Sequence, residues 1–186
     1  PEDLVALGML ARSQLAGGNS NAAQQTLKDM TRFANFDPEA QYEIARLQVA
    51  AGNDSGAAYS LDKALDTQAD FLPAHVLYAE IDIRRKEYAK AEQRIKLIGD
   101  KFPTGATAAR LQGDLALVRG RHADALASYA KALKNEDTAE MALRLFRAHL
   151  AAGDLAKGVA FLEKWHRVHK DDPAVLRTIA DGHLRM

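Results

Sequence analysis

Residues 113–133 read GDLALVRGRHADALASYAKAL: the end of one amphipathic helix, a turn at Gly120, and a second helix. The small residues in this run fall where two antiparallel helices must approach closely. The layout recurs along the chain. Gly18, Gly52, Gly120 and Gly153 stand at equivalent turns and Lys86 takes the remaining place, at steps of 34, 34, 34 and 33 residues. Self-similarity at such a period is the mark of stacked helix pairs, in which each unit packs mainly on its neighbours.

With each turn residue set at position 15 of a unit, the rest of the chain falls into register. Position 20 is Ala23, Ala57, Ala91, Ala125 and Gly158, and position 8 is Ala11, Ala45, Ala79, Gly113, Phe146 and Ala180. Helix axes pack about 8–10 Å apart, and the closest point of a crossing admits only small side chains. Position 24 carries larger filler: Leu27, Leu61, Ile95, Tyr129 and Leu162. Position 27 holds Met30, Ala64, Ile98, Ala132 and Trp165. Phe146 breaks the rule, which predicts a splayed or shifted fifth pair.

This register resembles the tetratricopeptide repeat (TPR), in which small residues at positions 8 and 20 and a bulky one at 24 lock paired helices. The expected tryptophan at position 4 and tyrosine at position 11 are missing, and the position-32 proline occurs once, as Pro103. Pro38, Pro73 and Pro173 instead open the following helices, where the first turn tolerates proline. The resemblance implies an all-α, right-handed solenoid of antiparallel helix pairs forming one array. Five repeats (4–37, 38–71, 72–105, 106–138 and 139–172) are followed by one terminal helix (173–186). The helices are predicted at 2–16, 20–33, 38–51, 54–67, 71–85, 88–101, 104–119, 122–134, 138–152, 155–169 and 173–185. Loops such as Gly52-Asn53-Asp54 supply a left-handed stop and then an N-cap.

Composition narrows the function. Lys+Arg and Asp+Glu both number 25, so no basic excess points to nucleic acid. The chain is 47% hydrophobic, yet no apolar run approaches the roughly 18–20 residues of a membrane helix. Direct membrane insertion by this segment is not expected. Cysteine is absent, which removes disulfides, thiolate metal sites and cysteine nucleophiles. There is no G-x-S-x-G elbow, phosphate-binding glycine loop or H-E-x-x-H motif, and the expectation is a non-enzyme without a cofactor. His166 and His169 lie three apart on one helix, and His149 and His183 share position 11. Zinc needs three or four such ligands. The first two are therefore read as a solvated helix end and the second two as half-buried packing residues. Acidic pairs such as Asp171-Asp172 fall at helix starts, where capping accounts for them. Arg84-Arg85-Lys86, flanked by Glu80, Asp82 and Glu87, reads as a surface patch.

In TPR arrays the first helix of each pair lines a concave groove, and the resemblance carries partner binding to positions 2, 5, 9, 12 and 13. Position 5 supplies Tyr42, Val76, Arg110, Leu143 and Arg177. Position 9 supplies Arg12, Arg46, Glu80, Asp114, Arg147 and Asp181; position 12 supplies Leu15, Val49, Ile83, Leu117, Leu150 and Leu184. An apolar stripe interleaved with charges of both signs suits a protein or peptide segment with apolar anchors. Co-chaperones of this family that grip a C-terminal carboxylate carry Lys at position 5 and Asn at position 9. Neither occurs here, so a chaperone-tail clamp is not expected.

The stretches LQGDLALVRGRHADALASYAKAL and AEMALRLFRAHLAAGDLAKGVAFLEKW are also similar to bacterial TPR lipoproteins of the exopolysaccharide and PEP-CTERM protein-sorting type. That resemblance implies a periplasmic, membrane-tethered location; without it, a cytoplasmic one is expected. The start at Pro1 and stop at Met186 suggest a piece of a longer protein. The apolar face of the last helix, with Leu176, Ile179 and Ala180, implies self-association or fraying there. The functional expectation is an interaction scaffold holding a partner segment in its groove. The alternative is an architectural spacer or oligomerisation segment.

Overall fold

The computed structural model describes residues 4–34, 36–170 and 172–186. Eleven helices and no strand occur among the described residues: α1 (Leu4–Ala16), α2 (Ser20–Phe33), α3 (Pro38–Ala50), α4 (Asp54–Thr67), α5 (Leu72–Arg84), α6 (Tyr88–Lys101), α7 (Thr107–Val118), α8 (His122–Asn135), α9 (Ala139–Ala151), α10 (Leu155–Val168) and α11 (Pro173–Arg185). Residues 2 and 3 of the expected first helix, and Asp171, lie outside the described residues. The all-α expectation holds, and most helix ends fall within a residue of their predicted places. The exception is α7, which begins at Thr107 rather than at 104. The Gly105 N–H donates to the Phe102 carbonyl at 3.3 Å, so a turn through Pro103 and Thr104 consumes those residues first.

The five turns share one hydrogen-bonding plan. Gly18, Gly52, Lys86, Gly120 and Gly153 have φ of 73°, 72°, 62°, 70° and 80°. Each N–H donates to the carbonyl three residues back, and the following N–H donates five residues back, as in Gly52 to Val49 (3.0 Å) and Asn53 to Gln48 (2.8 Å). This is the Schellman arrangement, which satisfies the orphan carbonyls of a helix end. After two of the turns a side chain caps the next helix, whereas Glu87, Arg121 and Asp154 make no such bond. Asn19 accepts from the Ala22 N–H at 3.3 Å and Asn53 from the Gly56 N–H at 2.9 Å. Asp172 likewise accepts from Ala174 and Val175 at 2.9 and 3.0 Å.

The chain divides into two compact units, residues 1–81 and 82–186, with the break inside α5. The first unit holds two clusters. One joins Ala11, Leu27, Met30, Ala34, Ile44 and Leu47; the other joins Ala45, Ala57, Leu61, Ala64, Ala74 and Ile81. In the second unit, Ala116, Ala125, Tyr129, Leu145 and Ala148 form one cluster, and Ala142, Phe146, Val159, Leu162 and Val175 another. Ala23, Ala57, Ala91 and Ala125 of position 20 are fully buried, as are Ala11, Ala45 and Ala79 of position 8. Ala180, the last of that series, is exposed.

Two aromatic residues at the helix crossings are each matched by a glycine opposite. A Cβ on Gly113 would lie 2.6 Å from Tyr129 Cε1, so the tyrosine in place of leucine at position 24 needs glycine at position 8. A Cβ on Gly158 would lie 3.0 Å from Phe146 Cδ2 and 3.1 Å from His149 Cβ. In the fifth pair the large residue has moved to one helix and the missing volume to the other. Gly182 performs a similar service in α11, where a Cβ would come 2.5 Å from Val159 Cγ2.

Lys86 is the only non-glycine among the described residues with positive φ. The left-handed region costs an L-residue about 1–2 kcal/mol, partly offset by the chain entropy that glycine loses on folding. Lys86→Gly is therefore expected to stabilise the protein by about 0.5–1 kcal/mol, read as a higher urea midpoint with unchanged slope. Gly120→Ala is expected to lower it.

Candidate functional site

The first helices carry the candidate residues, and the structure separates those already engaged internally from those left open. In the first unit, Glu43 of α3 bridges Arg12 of α1 at 3.3 Å and its own helix's Arg46 at 2.9 Å. Arg46 lies 6.0 Å from the Tyr42 ring, which meets Phe71 edge-on at 5.7 Å. Burial raises the Tyr42 pKa, with Arg46 opposing and Glu43 and Glu80 adding to the rise. Tyr42, Val49, Val76 and Glu80 are half-buried, whereas Arg12 and Arg46 are exposed. A cleft of about 530 Å³ between α1 and α3 has Leu4, Val5, Met30, Ile44 and Leu47 in its lining, with Arg12 and Glu43 among its polar residues.

In the second unit, Asp114 is a hub. Its Oδ2 accepts from Arg110 Nη1 at 3.0 Å, and its Oδ1 accepts from Arg144 Nη1 at 2.7 Å and from the Tyr129 hydroxyl at 2.6 Å. Arg144 also bridges Glu140 at 3.1 Å. Burial, then the bond to Asp114, pushes the Tyr129 hydroxyl far above the ordinary phenol range, so it stays a donor. Burial disfavours the Arg144 charge, but Asp114 and Glu140 outweigh it and raise its pKa. Arg110 and Asp114, expected in the groove, are thus components of an internal network joining α7, α8 and α9. Ile83 is 7% exposed and belongs to the core. Leu117 packs at the edge of the core cluster around Ala116.

Five expected residues do come together. Leu143, Arg147, Leu150, Arg177 and Asp181 line a cleft of about 350 Å³ between α9 and α11, joined by Phe146, Thr178 and Arg185. A larger cleft, about 720 Å³, lies among residues of α6, α7 and α8. Much of its charge is matched within the protein. Lys96 meets Asp100 at 2.5 Å, Arg121 meets Asp124 at 3.0 Å, and Glu92 is bound by Arg119.

Sequence reasoning passed over position 6. Glu43 and Arg144 both stand there, and each pairs with the position-9 charge of the preceding first helix, Arg12 and Asp114 respectively. The signs are reversed between the two sites, so a search for one residue type would miss the pattern. Paired charges at positions 9 and 6 of successive repeats were the usable signal. Arg185 stands at position 13, a further family binding position.

The histidines depart from expectation in two places. His169 stacks on Trp165 with centroids 4.1 Å apart and planes at 8°, and its Nε2 meets Asp137 at 3.1 Å. Trp165 Nε1 donates to the same Asp137 at 2.7 Å. His166 and His169 are half-buried rather than a solvated end. His183, expected half-buried, is exposed and contacts Glu163 at 2.8 Å. His149 is half-buried as expected. Asp82 also differs from a surface patch, being 3% exposed and paired with Arg94 at 3.1 Å.

The tetratricopeptide repeat family model matches residues 48–115. Among solved structures, the thermophilic TPR protein TTC0263 of Thermus thermophilus superposes with a TM-score of 0.74 at 22% identity, covering 98% of this chain and 100% of that one. MamA (41-end) of Desulfovibrio magneticus RS-1 gives 0.63 at 17% identity, covering 92% and 99%. Pseudomonas aeruginosa pilF gives 0.64 at 16%, covering 98% and 89%. No curated protein matches the chain in sequence. The helix register and these likenesses define a TPR fold.

Removing the hub acceptor leaves a buried hydroxyl and two guanidinium groups short of a partner. Asp114→Ala is expected to cost about 2–3 kcal/mol and Tyr129→Phe about 1 kcal/mol in chemical denaturation. Burial, then Lys157, lowers the His149 pKa below 6.5, with Asp154 opposing. The folded state thus binds fewer protons than the unfolded one. Stability from this group is full above 6.5 and falls as pH drops toward the folded value. His149→Gln is expected to flatten that acid limb in denaturant titrations at stepped pH.

Proposed function

We propose that the chain is a non-enzymatic interaction scaffold that holds a partner segment against its first helices. The observation that carries this reading is the α9–α11 cleft, where Leu143 and Leu150 lie among charges supplied by Arg147 and Arg177. An apolar floor with a polar rim is the anatomy of a protein interface, and the first helix is where TPR proteins hold their partners. An open cleft of this kind suits a side chain or two of a longer segment better than an enclosed small molecule. The proposed setting is a bacterial envelope, exopolysaccharide or protein-sorting assembly. It rests on the sequence similarity of residues 111–133 and 139–165 to TPR lipoproteins, and a lipidated N-terminal cysteine in the full-length protein would test it.

A second reading, a spacer or self-associating segment, draws on α11. Leu176 is 46% exposed and Leu184 is 87% exposed, while Ile179 packs against the adjoining core. One experiment separates the two. A photo-crosslinking amino acid is placed at Leu150, at Leu184 or at the exposed Ala130 of α8 in the parent protein in its native cells. The scaffold reading expects a discrete hetero-adduct from position 150, none from 130, and its loss in Arg147→Glu/Arg177→Glu with helicity retained. A homodimer adduct from position 184 alone would overturn it in favour of self-association.

A further inference from the structure

We propose that the α9–α11 cleft binds an acidic protein segment, one carboxylate of which completes a charge pair that the chain itself leaves incomplete. The inference rests on the scaffold reading and specifies the chemistry of the partner.

Charges at positions 9 and 6 pair successive first helices at two places, whereas the position-6 residues that follow Arg46 and Glu80 are the uncharged Leu77 and Leu111. Arg12 at position 9 meets Glu43 at position 6 of the next repeat, and Asp114 meets Arg144 in the same relation. The corresponding pair in α9 and α11 is Arg147 and Thr178. Threonine has no charge to offer, and its hydroxyl is turned back to the Ala174 carbonyl at 2.7 Å. Arg147 is exposed and, among the described residues, has no carboxylate within ion-pair distance. Arg177 and Arg185 line the same cleft and are likewise without a pairing carboxylate among the described residues. Asp181 sits one helical turn from both of them and bridges neither. The cleft thus carries three guanidinium groups against one carboxylate, where the related cleft between α1 and α3 closes its Arg12 with Glu43.

Charge alone would suit any polyanion, and the floor decides between them. Leu143 and Phe146 are largely covered, and Leu150 is 39% exposed at the mouth. A phosphate polymer has nothing to place on that surface, whereas an apolar side chain flanked by Asp or Glu fits both features. Arginine's planar fork takes a carboxylate or a phosphate bidentately, so the apolar floor makes the choice. The occupant is therefore an acidic segment with an apolar anchor, most simply a helix with leucine at i and i+4 and glutamates around them.

The test uses a fluorescein-labelled helical peptide of that design, its Glu→Lys counterpart and a single-stranded oligonucleotide of equal charge. Each is titrated by anisotropy at 50 and 500 mM salt. The acidic peptide is expected to bind at least tenfold more tightly than the basic one, and to weaken in high salt. Thr178→Glu, which supplies the missing acid in cis, and Arg177→Glu/Arg185→Glu on the exposed face should each abolish that preference, with unchanged circular dichroism. Equal binding of the two peptides, lost in Leu143→Ser/Leu150→Ser, would overturn the acidic partner while leaving an apolar groove. Tighter binding of the oligonucleotide would overturn it in favour of a phosphate ligand. No preference for the acidic peptide, including no binding by either, overturns it as well; the scaffold reading is then judged by the crosslinking experiment alone.

Discussion

The structure depends on steric room at the points where paired helices come closest. Dispersion and apolar burial stabilise a hairpin only if its two backbones can draw together, and a single extra methyl at the crossing holds them apart. Alanine meets this demand at nearly every position 8 and 20, and is fully buried wherever it does so in the first four repeats. Once the crossing is fixed, the bulky residue at position 24 has a defined socket. The Schellman turn then fixes the direction in which the next helix leaves. Placement of the first helices, and hence of any binding cleft, follows from these three local requirements.

Electrostatics is layered on that frame. At two steps, charges at positions 9 and 6 of consecutive first helices pair, and either sign order serves: Arg12 with Glu43 and Asp114 with Arg144. The Asp114 hub adds a buried tyrosine hydroxyl, which is available only because Gly113 admits the Tyr129 ring. A packing concession and a polar network are therefore the same event in α7 and α8. At Arg147 and Thr178, one of the steps without such a pair, cationic groups remain at a partly apolar surface.

The fold was legible because its causes are local. Turn residues, small crossings and caps can each be read within a few positions, down to Lys86 adopting the conformation that glycine takes elsewhere. The late start of α7 was not, because a backbone turn competed with a proline that also permits helix initiation. The candidate site was legible only in part. Leu143, Arg147, Leu150 and Arg177 do share a cleft, but Asp114 is held by Tyr129 and by Arg144, the latter thirty residues distant, and Arg110 by Asp114. Whether a charge on a predicted wall is spent internally depends on what stands opposite it, and a single helix cannot say. The Asp137 link between Trp165 and His169 was hidden for the same reason.

The glycine at position 158 has a wider meaning for how such a chain can change. It replaces alanine only because Phe146 faces it, so neither residue can drift toward the repeat consensus alone: restoring the methyl first would press it into the ring, and shrinking the ring first would leave a hole. α9 and α10 are in this sense a matched set. Shuffling whole hairpins along the array would preserve that match, whereas recombination inside the Gly153 turn would separate lock from key and hand the descendant one ill-fitting half.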